Sequence, residues 1–168
     1  MSFSIYTASA PVFVRMLSNL SAILDKAEAH CTERKIAPEA LLQFRLYPDM
    51  FPLVRQVQIA TDMTKGAAAR LAGAEVPSYA DTETTFEDLR ARLAKTIDFI
   101  KSFKPEQFEG AEDRTITVKT GGQERQFKGS DYLLNFALAH ASFHVTTAYA
   151  ILRHCGVELG KKDYIGAL

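Results

Sequence analysis

Apolar side chains recur at three- and four-residue steps along four separate stretches of this chain, a period that demands helices burying one face. Val12, Met16, Leu20, Ile23, Leu24 and Ala27 mark the first stretch, which runs to Cys31 after a cap at Ser9 and an early proline at Pro11. Met50, Leu53, Val57, Ala60, Thr64, Ala67 and Leu71 mark the second, between a cap at Asp49 and a stop at Gly73. The third opens on Thr85-Phe86-Glu87-Asp88, a capping-box variant, and continues through Leu89, Leu93, Thr96, Ile97, Ile100 and Phe103 to Lys104-Pro105. The fourth and most apolar opens at Ser130-Asp131 and stops at Gly156. Between the last two the period falls to two: Ile116 and Val118 alternate with Thr115, Thr117 and Lys119, Gly121-Gly122 turns the chain, and Gln123 to Phe127 returns. These signals predict an all-α fold, a four-helix bundle with a short β-hairpin between helices 3 and 4, as a single domain over residues 1–168. Pro38 to Leu42 adds a short helical turn, and the tail from Val157 to Leu168 is expected to pack back on the bundle. Up-and-down and crossover wiring both remain open.

Charge and composition narrow the function classes. Among 168 residues, 20 Lys and Arg balance 20 Asp and Glu, so no basic field invites nucleic acid or an anionic membrane. The run from Leu133 to Leu152 is broken by Asn135, His140, Ser142 and His144 and reads as a buried helix rather than a membrane span. Met1 to Tyr6 lacks the basic and apolar regions of an export signal. A cytoplasmic protein is therefore expected, with Cys31 and Cys155 as reduced thiols.

The residues most able to carry chemistry are His140 and His144. Four residues turn a helix by about 40° beyond a full circle, so both imidazoles project from one side, as two ligands of one divalent ion must. Leu133, Phe136, Ala137, Thr147, Ala148 and Ile151 share that side, which turns the pair inward, and buried imidazoles need a hydrogen bond, a water or a metal. The Glu of a His-Glu-x-x-His motif is absent, so a metal pair, a polar ligand pocket and partial exposure all stay open. On the second helix, Gln56 and Asp49 fall on one flank of the stripe through Val57, Gln58 falls toward the opposite margin, and Ile59 points away. His30 and His154 read as cations at helix ends. Ser142 and Cys155 are off-register for pairing with a histidine, and Arg45, Arg55 and Tyr47 read as solvated. Gly121-Gly122 precedes a strand, not a helix, and so is no phosphate cradle.

A helical bundle with His-x-x-x-His on its last helix resembles the DinB-like superfamily of metalloenzymes. The runs Asp49 to Ala60, Thr85 to Leu89 and Gly160 to Gly166 resemble an uncharacterised subfamily within it, a domain of unknown function, over nearly the whole chain. The resemblance implies a divalent ion held by three His, two of them at His140 and His144 and the third on the second helix. No His lies between Cys31 and Ala139, so the metal site is expected to be degenerate. Matching the helix start to the family pattern puts the missing ligand near Gln58 or Ile59, whereas helical geometry favours Gln56. An amide is a poor ligand for zinc or nickel, and Asp49 is the better third donor. Two functions follow. One is a small-molecule-binding or dimerisation module whose pocket is lined by His140, His144 and Gln56. The other is a divalent-metal-dependent enzyme of thiol-dependent transferase or hydrolase type, with zinc or nickel on His140, His144 and Asp49. A homodimer is expected because Ile59 and its apolar neighbours fall outside the helical seam.

Overall fold

The structure, a computed structural model, describes residues 4–167. Met1–Phe3, on which the reading of the N-terminus partly rests, and Leu168 at the end of the tail lie outside the described residues. The chain is mostly helical with one small sheet. It runs α1 (Ile5–Ala8), α2 (Ala10–Arg34), α3 (Pro38–Leu42), α4 (Leu53–Ala72), α5 (Phe86–Lys101), a 3-10 turn (Pro105–Phe108), β1 (Thr115–Thr120), β2 (Gln123–Lys128), α6 (Gly129–Asp131), a π turn (Tyr132–Ala137), α7 (Leu138–His154) and α8 (Lys161–Ile165). α4 packs most extensively on α7 and also on α5, while α2 packs on α5 and, at fewer points, on α7 and α4. Because α4 is covered on most sides, it is rich in small residues. Ala60, Ala67, Ala68 and Ala69 are fully buried and let the neighbouring helices approach.

Local signals explain most boundaries. Thr85 caps α5 by accepting the Asp88 N–H while Asp88 reaches back to the Thr85 N–H, both at 3.0 Å. The hairpin pairs Ile116 with Phe127 and Val118 with Arg125 through a turn in which Gly121 and Gly122 both have positive φ, as a two-residue hairpin loop requires. Ile116 and Val118 point into the core. The tail does return: Asn19 donates to the Tyr164 carbonyl at 3.0 Å and Lys26 pairs with Asp163 at 2.7 Å.

Three expectations are corrected. α4 begins at Leu53 behind Pro52, leaving Asp49 exposed in the preceding turn, so Asp49 does not cap it. The core stripe of α2 is Ala10, Phe13, Leu17, Leu20, Ile23, Leu24, Ala27 and Cys31, with Val12 and Met16 only half-buried. At the start of the same helix the Ser9 hydroxyl donates to the Ile5 carbonyl at 2.5 Å instead of capping α2. Ile5–Arg34 is long and apolar enough to cross a membrane by length and composition alone, yet that stripe lies in the core.

The third correction sits beside the His pair. Core residues of the last long helix step by four from Leu133 to Ala137, Ala141 and Val145, then continue to Ala148 and Leu152. In an unbroken α-helix three such steps drift about 120°. The π turn absorbs one extra residue, with the Leu138 N–H reaching the Leu133 carbonyl, and thereby returns all four to one stripe. His140 and His144 each precede a stripe residue by one position. They therefore lie half-buried at the margin of the core rather than in its centre.

Candidate functional site

The π turn and α7 position the two histidines, and each ring is anchored at Nδ1. His140 Nδ1 lies 2.7 Å from the Phe136 carbonyl. A carbonyl only accepts, so Nδ1 carries a proton, and in the neutral ring Nε2 keeps its lone pair. The His140 ring also lies on the Phe136 ring, with centroids 4.1 Å apart. His144 Nδ1 lies 2.7 Å from Gln56 Oε1. The Gln56 amide is itself oriented, because its Nε2 donates to the Phe51 carbonyl at 3.0 Å, which aims Oε1 at the imidazole. His144 is thus also an Nδ1–H tautomer with a free Nε2 lone pair.

Gln56 is where helical geometry placed it, buried and facing the pair, but its role differs from that of a third donor. Both ends of its amide are occupied in holding His144. Gln58 is buried too but faces other partners than Gln56 does; it donates to Glu83 at 2.9 Å and accepts from Arg55 at 3.2 Å. Ile59 is half-buried. Asp49 is exposed, and among the described residues no three His, Cys, Asp or Glu side chains come together as a metal site. The proposed set His140, His144 and Asp49 is therefore not assembled.

The electrostatics keep the His144 ring neutral at ordinary pH. Burial foremost, then the nearby His140 and Arg55, pushes His144 from its ordinary 6.5 down to about 4. The folded value lies below the unfolded one, so this ring contributes stability above pH 6.5 that is lost as pH falls toward 4. Half-exposure screens the effect, and about 1–2 kcal/mol is expected to disappear across that window. Imidazole NMR of His144 should show its midpoint near 4, and His144→Gln should remove this part of the acid destabilisation; a midpoint at 6.5 would contradict the geometry.

A pocket of about 300 Å³ opens beside His140, between α4, the 73–85 connection, the hairpin and the π turn. Its lining includes Phe136, which helical spacing put on the side of the histidines, together with Lys65, Arg70, Tyr79 and Tyr132, which the sequence pattern did not single out. Lys65 is buried, bonded to Asp62 at 2.7 Å, with its ammonium 3.7 Å from the centre of the Tyr79 ring. Behind that wall, buried Arg92 binds Thr61 Oγ1 at 2.7 Å and Asp62, Glu83 and the Ala80 carbonyl at 3.0 Å, with Asp81 at 3.1 Å. It pins the polar connection to α4 and so holds Tyr79 in place. Periodicity did carry a signal for Arg92, which falls between Leu89, Leu93 and Thr96 on the buried stripe of α5. Charge alone suggested solvent.

The remaining candidates stay apart from this site. His30 lies a turn before the end of α2, whereas His154 does sit in the last turn of α7 and packs against Phe44 at 5.3 Å. Cys31 and Cys155 are free thiols, both pushed up in pKa chiefly by burial. Arg55 is paired with Asp81 and borders the Gln58 amide rather than standing free in solvent.

No curated protein matches the chain. Among solved structures it is similar to a DinB family member protein from Shewanella denitrificans, with 42% identity over 97% of this chain and 92% of that one and a TM-score of 0.90. Residues 5–165 match the family described as Domain of unknown function (DUF1993). With likeness over nearly its whole length on both counts, the chain belongs to this DinB-like, functionally uncharacterised DUF1993 family.

Proposed function

We propose that the four long helices form a DinB-type four-helix bundle whose function is to bind a small molecule in the pocket lined by His140, a lining that does not include the expected His144 and Gln56, with a degenerate metal site. The observation that carries this reading is the anchoring of both rings at Nδ1 by the Phe136 carbonyl and Gln56 Oε1. It leaves the two Nε2 atoms without a bond to the anchoring groups and held one helical turn apart, with His140 on the wall of a concave pocket.

The same anchoring favours a second reading, since metal-ligating His residues are oriented by such Nδ1–H bonds. The donor set does not fit a three-ligand centre, because Gln56 is spent on His144 and no third His, Cys, Asp or Glu joins the pair among the described residues. The deciding experiment is metal analysis of untagged protein alongside His140→Ala and His144→Ala. Metal well short of one ion per chain, unchanged in both variants, is expected. Stoichiometric metal lost in both variants would replace the binding reading with the divalent-metal-dependent enzyme.

Self-association has its own support. Leu46 and Phe143 are 40% and 57% exposed and border a shallow apolar hollow on α7 with Ala139 and Ala150. This patch, rather than Ile59, is the surface we assign to a homodimer; a purely monomeric sedimentation profile would remove it.

A further inference from the structure

Gly66 stands in the middle of α4, where glycine weakens a helix, and it is buried. Its missing side chain leaves room for the Arg70 guanidinium one turn on: a Cβ there would come within 2.5 Å of Arg70 Nη1 and 3.8 Å of Val76. So placed, Arg70 Nη1 donates to Tyr132 Oη at 3.3 Å. Burial, outweighing Arg70, raises the Tyr132 pKa, so the phenol keeps a proton to donate. Lys65 and Arg92 are neutralised by acidic partners, but among the described residues Arg70 makes no ion pair. Half-buried on the pocket wall, it gives one N–H to Tyr132 and keeps the rest of a fork of donors shaped for a carboxylate. Lys119 on the rim adds positive charge, Val76, Val118 and Phe136 supply apolar wall, and His140 lines the same pocket.

Resting on the small-molecule reading above, we propose that the pocket takes an organic carboxylate with a compact apolar or aromatic body, its carboxylate on Arg70 and Tyr132 and its body on the walls toward His140. The volume of about 300 Å³ suits such a molecule and is at the small end for ligand pockets.

The test follows the His140 imidazole resonances of the full chain during titration with benzoate and 3-phenylpropanoate, and with benzamide and 3-phenylpropanamide as uncharged counterparts. Saturable shifts with the carboxylates are expected, with the amides about tenfold weaker or more. Arg70→Gln should weaken the carboxylates about tenfold, and Arg70→Lys should recover only part of that loss. Gly66→Ala serves as the second variant, since it displaces a flexible guanidinium while improving helix propensity: carboxylate affinity should fall with no fall in melting temperature. Equal binding of amides and carboxylates, or unaltered carboxylate affinity in both Arg70→Gln and Gly66→Ala, overturns the carboxylate assignment and leaves the pocket reading standing. If none of the four probes moves His140, both fall.

Discussion

Arg92→Leu is expected to destabilise the fold by about 3–5 kcal/mol, the range for breaking a buried ion network from one side. The residue is 4% exposed, and its guanidinium joins α5 to α4 through Thr61 and Asp62 and to the connecting segment through Ala80, Asp81 and Glu83. Leucine would fill part of the volume and leave every acceptor. Asp62 keeps Lys65 and Asp81 keeps Arg55, but Glu83, with only 11% of its side chain exposed, retains the Gln58 amide alone. Uncompensated negative charge in that position is the main cost. Arg92→Lys should recover little, because one ammonium cannot span five acceptor groups spread over two segments. Urea unfolding would show a lowered midpoint with an unchanged slope, and a loss below about 1 kcal/mol would mean that water replaces the guanidinium without difficulty.

Gly129→Ala is the second large effect, at about 3 kcal/mol, the upper part of the range for overpacking. Gly129 opens the last long helix pressed against the preceding segment, with the Ser130 N–H bonded to the Glu112 carbonyl at 3.0 Å. A Cβ on Gly129 would fall inside the contact radius of the Ala111 carbonyl oxygen. Backbone, not a flexible side chain, stands in the way, so the helix start or residues 111–112 must move. That separates it from Gly66→Ala, where only a guanidinium yields. Thermal melting of the two alanine variants should diverge, Gly129→Ala falling and Gly66→Ala holding; equal melting of the two would show that the helix start shifts freely.

The candidate site was half legible. His140 and His144 declare themselves by four-residue spacing, and Gln56 follows from its place beside Val57. The sequence reading could not assign Gln56 its task, because an amide flanking a stripe looks the same whether it binds a ligand or orients an imidazole. Asp49 illustrates the opposite failure: Pro52 moved the start of α4, and a residue taken as cap and metal donor became an exposed turn residue. The π turn likewise displaced the histidines from the centre of the core to its edge, although the steps of four from Leu133 to Val145 already contained the drift that such a turn corrects.

What the sequence by itself determined is everything set within one or two helical turns: the long amphipathic helices, the Thr85 capping box, the hairpin and its Gly121-Gly122 turn, and the shared side of the two histidines. Those features depend on spacings of two to four residues, which the chain states directly. Only the tertiary structure decided the chemistry of the pocket. Gln56 and His144 are 88 residues apart, Arg70 and Tyr132 are 62 apart, and Arg92 reaches 31 residues back to Thr61. Whether such polar groups meet depends on helix rotation and packing, and those are set by the sum of many apolar contacts rather than by any local pattern.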